Sequence, residues 1–393
     1  MRIIRGILSP MNSELTIVIV AKDAATTIGR AVASARASGD WPILLIDDCS
    51  GDETIKSAQD IGGDHITVHK TERSIGIGNA RQTALEYTQT EFAMWLDADD
   101  EILPHRPAAM LQSLKNGADL CFDPAVLFDP SSGKDTQALP IPDFLSKPDG
   151  VLRSFERNWI PALTGGFRTG FAQTVGYDRT FKCAEDYDFL LRAITQNAKI
   201  DFLRDAGYRY AHSPTSASRN VELTRAASQA ALAKHNFSEM RRRVENSTLP
   251  GSEQYLTLAH IATALDLENE WNSVITKLGK SSEAVPPYDR SGKWLSAYLR
   301  ATAALLSGDH RLAASLLTPL TENDNAADAH NNLGIALWHL GDHTAARVHW
   351  QKALAIMPRY LDATENLRAA KQHPTHITHA PLRRAPSRSG YKR

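Results

Sequence analysis

Residues 15–47 read LTIVIVAKDAATTIGRAVASARASGDWPILLID, and this stretch decides the fold. Its opening run, LTIVIV, is short, unbroken and rich in β-branched side chains, as a strand buried on both faces should be. In residues 24–38, Ile28, Val32 and Ala35 recur at helical spacing, and PILLID at 42–47 is a second buried strand that ends in acids. Two apolar strands around one amphipathic helix make a βαβ unit. The alternation continues with a helix over 54–61, a strand ITVHK at 66–70, a helix from about 78 to 89 and a strand FAMWLDAD at 92–99. The pattern predicts an α/β domain on a Rossmann-like, mostly parallel sheet with helices on both sides. Ligands of such sheets bind at the carboxyl ends of the strands. Asp47, Asp48, Asp97, Asp99 and Asp100 therefore fall where a ligand would sit.

Further along, residues 123–150 turn rich in Pro, Ser, Asp and Gly, which reads as a loop or hairpin joining two halves of the domain. A helix over 185–197, opened by an acidic pair, and a segment DFLRDAGYRYAHS that ends strand-like close it. From about 222 the texture becomes alanine-rich with helical period and no strand signals. Residues 329–367 hold two helical patterns in which Leu333, Ala336, Leu337, Ala345, Trp350, Ala353 and Pro358 suit an interlocking helix–turn–helix repeat. An earlier copy at 296–317 shares its Gly-Asp pair, Gly308-Asp309 recurring as Gly341-Asp342, near the repeat period of about 34. The stretch 252–279 is a more degenerate third unit. We divide the chain into an N-terminal extension (1–13), the α/β domain (14–221), an all-α repeat domain (222–370) and a basic tail expected to be disordered (371–393).

Composition narrows the partners. With 44 Lys plus Arg against 45 Asp plus Glu in 393 residues, no overall field draws the chain to nucleic acid, and none is expected as a partner. Cys49, Cys121 and Cys183 are odd in number and lack metal-ligand spacing, which points to free thiols in a reducing compartment. The opening MRIIRGILSP is too short for a signal h-region, and no apolar run approaches the ~18 residues of a membrane span. The expectation is a cytoplasmic protein without a transmembrane segment, peripheral attachment at the inner face of the membrane being the variant left open.

The chemistry concentrates in LDADDE at 96–101, a buried strand running into three aspartates. Clustered carboxylates repel unless a cation or strong donors offset them. A hard divalent metal shared with a diphosphate is one solution, since Mg²⁺ and Mn²⁺ take one or two protein carboxylates plus substrate phosphates. An acidic turn capping the next helix is the other. IDDCSGDET at 46–54 is a second acidic strand end, and with AKDAATT at 21–27 it would line one pocket at the sheet edge. Its bland alternative is an Asx-turn into a helix. Glu185-Asp186 either complements a helix dipole or supplies a base. The glycines of TGGFRTGF at 164–171 allow close backbone approach to a ligand, and Arg168 could meet a phosphate or pair with an acid.

Taken in order, AKD, IDDCSGDET, GIGNARQTALE, LDADDE and GYDRTFKCAEDYDFLLRA resemble the family 2 glycosyltransferases of GT-A fold, over residues 15 to about 218. The final third of the chain resembles tetratricopeptide (TPR) repeats. The first resemblance implies an enzyme that moves a sugar from a nucleotide-diphosphate-sugar, UDP-sugar by preference, to an acceptor hydroxyl with inversion. It implies nucleotide-sugar binding by Ala21, Asp23, Asp48, Arg81, Asp97 and Asp99, although the family often has Asn where Asp23 stands. It further implies a Mn²⁺ or Mg²⁺ ion held by Asp99 and Asp100 with His212, and Asp186 as general base beside Glu185. No QxxRW-like segment follows the acidic pair and no membrane helices follow the domain, so one sugar per encounter is expected. The acceptor could be an envelope glycan, a lipid-linked sugar or a protein, and the TPR-like repeats could hold a protein partner. Two competitors remain: a nucleotidyltransferase, disfavoured because AKDAATT lacks glycine, and an inactive scaffold whose repeats bind a protein. SIGIGNA at 74–80 carries GxGxxR, not GxGxxG, which argues against dinucleotide binding.

Overall fold

The computed structural model describes residues 14–74, 76–211, 221–265, 267–286, 288, 290–322, 326–358 and 360–372. The chain divides into two compact units, Met1–Met240 and Arg241–Arg393.

The first unit opens with β1 (Leu15–Ala21), α1 (Ile28–Ala37), β2 (Ile43–Asp47), α2 (Thr54–Gly62), β3 (Ile66–Lys70), α3 (Ile77–Tyr87) and β4 (Phe92–Asp97). Strands β2, β1 and β4 are buried almost throughout because helices cover both faces of the sheet, so they show no polar alternation. Helix α1 turns Ile28, Ala31, Val32 and Ala35 inward, one stripe at three- and four-residue spacing. It begins later than its periodicity suggested because Asp23–Thr27 form a turn.

After β4 come β5 (Glu101–Ile102), α4 (Arg106–Lys115), β6 (Leu120–Phe122), β7 (Ala125–Asp129), β8 (Lys134–Leu139), β9 (Gly166–Arg168), α5 (Thr169–Val175), α6 (Glu185–Thr195), β10 (Ile200–Phe202), β11 (Tyr208–Ala211) and α7 (Val221–Ala233). The main sheet runs β10-β6-β9-β4-β1-β2-β3, with β9 antiparallel to both its neighbours, so it is mixed but mostly parallel. A smaller sheet, β5-β11-β7-β8, contains the hairpin β7–β8 within the loop-or-hairpin region read from the sequence. Register fixes the site: Ala21 pairs with Asp47, Asp47 with Lys70, and Val20 with Asp97, so four parallel strands end along one edge.

Helix α7 packs on α6, and Lys234, just past its end, reaches Asp178 and Asp188 at 2.7 Å. The change of sequence texture near 222 therefore precedes the division between units at Met240, and α8 (Phe237–Glu245) spans that division.

The second unit contains three helix pairs, α9 (Gly251–Ala264) with α10 (Glu268–Leu278), α11 (Gly292–Leu306) with α12 (His310–Leu317), and α13 (Ala327–His339) with α14 (His343–Ile356), followed by α15 (Leu361–Gln372). The repeated Gly-Asp pair has a physical cause. Gly308 and Gly341 adopt φ of 81° and 89° past the ends of α11 and α13, a conformation costly for any residue with a Cβ. The following Asp309 and Asp342 cap the next helices, each accepting from a backbone N–H at 3.0 Å, Leu312 and Ala345 respectively. Trp350, fully buried, lies against Gly334 and donates to the Asn331 carbonyl at 3.1 Å. No helix of the described residues is long and apolar enough to cross a membrane.

A Cβ at Gly334 would lie 2.5 Å from the Trp350 indole nitrogen. Gly334→Ala should therefore destabilise the helical unit by about 1–3 kcal/mol, read as a lower thermal midpoint. Gly251→Ala, whose Cβ would meet only the Tyr255 ring at 3.9 Å, should leave it unchanged.

Candidate active site

Beyond β1 and β2 the chain makes two turns that brace each other. Asp23 and Cys49 sit at φ of 48° and 60°, a left-handed conformation that Asp tolerates better than most residues. The Asp23 carboxylate accepts from Gly51 N–H at 2.8 Å while its own N–H donates to Ser50 Oγ at 2.9 Å. Ala24 and Ala25 donate to Thr54 Oγ1 and Asp52 Oδ2. Asp47 is fully buried and takes Ser50 N–H at 3.0 Å, so it holds the turn and faces inward. Asp48, 4% exposed, accepts from Ser74 Oγ at 2.9 Å and Gly76 N–H at 3.2 Å.

The aspartates after β4 divide by direction. Asp97 is 37% exposed at its side chain and Asp99 is exposed, whereas Asp100 is 2% exposed. Asp100 accepts from Tyr208 Oη at 2.6 Å and from Ala211 N–H at 2.7 Å, so both its oxygens are tied to β11. The Tyr208 hydroxyl also accepts from Asp97 N–H at 3.3 Å. Crowding by surrounding protein and then the charge of Asp97 push the Asp99 carboxyl above its ordinary range. Burial first, then Asp97 and Asp99, push Asp100 well above it. Arg30 steadies the turn from outside, donating to the Asp99 carbonyl at 2.6 Å and pairing with Glu101 at 3.1 Å.

Among the described residues no group of three His, Cys, Asp or Glu side chains is arranged to hold a metal alone. Two outward carboxylates that repel each other suit a divalent ion which completes its shell with phosphate oxygens. Asp100, satisfied by β11, is arranged as a strut beneath them. His212 lies outside the described residues.

Arg81 joins this edge to the acidic pair. It is 5% exposed, donates to Asp97 at 3.0 Å and pairs with Glu185 at 3.0 Å. Its guanidinium carbon lies 4.8 Å from the Trp95 ring centre and 6.0 Å from that of Tyr177. Burial pulls its pKa down, but Asp97, Tyr177, Glu185 and Asp186 together leave it above the usual arginine value. Nη1 is buried and has no hydrogen-bond partner among the described residues, so one donor is left unused.

Glu185 and Asp186 begin α6 behind Ala184, itself left-handed at φ 56°. They reach Arg81 because Gly78 lets the 178–181 turn lie on α3: a Cβ there would stand 2.5 Å from the Asp178 carbonyl oxygen. Burial and then the Asp186 charge raise Glu185 to about 7, and burial likewise raises Asp186. Asp186 accepts from Tyr187 N–H at 2.7 Å and lines a narrow hollow with Trp95, Leu163, Tyr177 and Phe189.

Two sequence candidates lie elsewhere. Arg168 is paired with Phe92 across antiparallel β9, at the amino end of β4, where it meets Glu91 at 2.8 Å. The glycines of TGGFRTGF serve packing, since a Cβ at Gly165 would stand 2.3 Å from the Cys121 carbonyl oxygen. Conversely, Lys22, Arg30, Ser74, Arg106, Asp123 and Tyr208 were missed. No local pattern marks them, because each acts across strands whose pairing the sequence does not display.

Residues 16–175 match the family model described as Glycosyl transferase family 2, and residues 327–360 match Tetratricopeptide repeat. The succinoglycan biosynthesis protein ExoU of Rhizobium meliloti (strain 1021) is 30% identical over 211 residues, covering 50% of this chain. The chain spans 61% of the length of that relative. ExoO from the same organism is 24% identical over 259 residues, covering 61% of this chain and 73% of the relative. Among solved structures, S. aureus TarS 1–349 in complex with UDP-GlcNAc aligns with 15% identity and a TM-score of 0.48, over 86% of this chain and 92% of that one.

Glu185 also gives the fold a pH dependence with a defined sign. Its pKa rises from 4.5 in the ordinary state to about 7 in the fold, so the unfolded chain ionises first and stability falls as pH climbs through that window. Urea unfolding on either side of the window should show this loss, and Glu185→Gln should reduce it.

Proposed function

We propose that this chain, which carries a family 2 glycosyltransferase domain at residues 16–175 and a tetratricopeptide repeat at 327–360, transfers one sugar from a nucleotide-diphosphate-sugar to an acceptor hydroxyl with inversion. The observation that carries the reading is Arg81, which bonds Asp97 at the carboxyl edge of the sheet on one side and Glu185 of the acidic pair on the other. Donor and acceptor chemistry need this juxtaposition, because the leaving diphosphate and the attacking oxygen lie on opposite sides of one anomeric carbon.

In this scheme Asp48 receives the nucleobase, with a UDP-sugar as the preferred donor, and Ala21 and Asp23 shape the wall beside it. Asp97 and Asp99 hold Mn²⁺ or Mg²⁺ together with the diphosphate; the ion supplies positive charge where the leaving group gains negative charge. Arg81 holds Asp97 in place through its 3.0 Å bond and would offer its Nη1 donor to a ligand oxygen. Asp186 accepts the acceptor hydroxyl proton as that oxygen bonds to the anomeric carbon. The bond from that carbon to the β-phosphate oxygen breaks, and its electron pair leaves with the nucleoside diphosphate. Burial raises both members of the acidic pair toward neutrality, which suits a base that must take and then release a proton. The relatives named for succinoglycan biosynthesis support a glycan hydroxyl as acceptor. The helical unit would then hold a protein partner or the acceptor's carrier.

Calorimetric titration with UDP is expected to show binding that requires Mn²⁺ in the wild type and is lost when Asp97 and Asp99 are both changed to Asn. UDP binding that ignores metal in both proteins would remove the metal from the scheme. Asp186→Asn should bind UDP normally yet lose about 10²–10⁴-fold in turnover, measured as slow donor hydrolysis with water as acceptor. The wild-type rate should climb with pH through an ascending limb that Asp186→Asn lacks.

A further inference from the structure

Lys22 and Ser74, assigned no role above, complete a pattern around Asp48. The Lys22 ammonium donates to Ser74 Oγ at 2.9 Å, and the same hydroxyl donates to Asp48 Oδ2 at 2.9 Å. One small group thus gives a hydrogen to the carboxylate and takes one from the ammonium. Lys22 and Ser74 are exposed while Asp48 is buried, so the hydroxyl covers the carboxylate from the solvent side. Gly76 N–H, at 3.2 Å from the same oxygen, fixes the carboxylate from the protein side, and the Asp48 N–H is bound to the Ala21 carbonyl at 2.8 Å. Asp48 therefore keeps its place whichever donor covers it.

An imide or lactam edge of a nucleobase carries the same pattern as that hydroxyl: an N–H donor directly beside a carbonyl acceptor. We infer that Lys22 is a specificity-determining residue that reads the base: an entering N–H replaces the Ser74 hydroxyl on Asp48, and the adjacent carbonyl oxygen accepts from Lys22. This inference rests on the transferase reading of the site. It selects uracil, thymine and guanine, whose edges place N–H next to C=O. It rejects cytosine and adenine, whose corresponding ring nitrogens are acceptors that would face the Asp48 carboxylate with no hydrogen between them. A lysine suits the task because its ammonium is a compact donor on a flexible stem, free to shift from the hydroxyl to a carbonyl.

The test is calorimetric titration of the full chain with UDP and with CDP in the presence of Mn²⁺. The wild type should bind UDP more than about ten-fold more tightly than CDP, because the Lys22 bond alone is worth about ten-fold and the Asp48 contact adds to it. Lys22→Met should weaken UDP by about ten-fold and leave CDP unchanged, and Lys22→Arg should preserve the preference. Lys22 is exposed, so these variants keep the fold. Equal wild-type affinity for the two nucleotides, or a UDP-to-CDP ratio that is undiminished in Lys22→Met, overturns the inference. Equal losses for both nucleotides also overturn it, since they would assign Lys22 to the diphosphate. Binding of neither nucleotide to the wild type is a separate result, and it overturns the transferase reading itself.

Discussion

A guanidinium and a carboxylate shut away from water hold the first unit together. Arg106, 1% exposed, donates to both oxygens of Asp123, to the Trp95 carbonyl at 3.2 Å and to the Thr164 carbonyl at 2.9 Å. Asp123 in turn accepts from Gly207 N–H at 2.9 Å. One ion pair thereby ties β4, the passage from β6 to β7, the approach to β9 and the start of β11. A buried pair is costly to desolvate, and removing one partner is worse by about 3–5 kcal/mol because the other is left charged and alone. Here all three guanidinium nitrogens are bonded, so the pair fixes geometry that an apolar cluster would leave free. Gly207 is part of the constraint: a Cβ there would lie 2.7 Å from both Arg106 Cγ and Asp123 Oδ2.

The consequence reaches the site through one side chain. Tyr208 follows Gly207, its ring lies 4.7 Å from the Arg106 guanidinium, and its hydroxyl bonds Asp100. The charged core thus sets the height of the aspartate turn, while Arg81 sets its angle from the other flank by holding Asp97 against Glu185. Both arginines lie over aromatic rings, Arg106 over Tyr208 and Arg81 over Trp95. Flat guanidinium groups can stack and bond at once, which an ammonium cannot do as well. The carboxylates are placed by cations behind them before any ligand arrives.

Much of this was legible in the sequence wherever a local rule governs. The buried runs at 15–20, 42–47 and 92–97 announced parallel strands because strands covered on both faces are uniformly apolar. The Gly-Asp pairs announced the helical repeat because a left-handed residue followed by a cap is a local requirement. The strand-like end of DFLRDAGYRYAHS became β11, but the short strands β5, β9 and β10 were not legible as such. Their two or three residues carry too little periodicity, and their pairing is decided by partners far away in the chain. The same limit applied to Arg168 and to the glycines near it. They resemble ligand-binding residues until antiparallel β9 turns the arginine to the far edge and brings Gly165 against β6.

The three aspartates of LDADDE show where composition stops being informative. In sequence they are near-equivalent carboxylates within four residues, and a pattern assigns them one shared task. In the fold, the backbone N–H of Ala211 and the hydroxyl of Tyr208 claim the third, turning Asp100 into a structural acceptor while Asp97 and Asp99 stay at the edge. Two carboxylates at the edge and a third bonded inward cost less than three facing one another in a single pocket. The number of acids a site contains and the number it presents to a ligand are therefore separate quantities. The second is set by strands that pair only after the chain has folded.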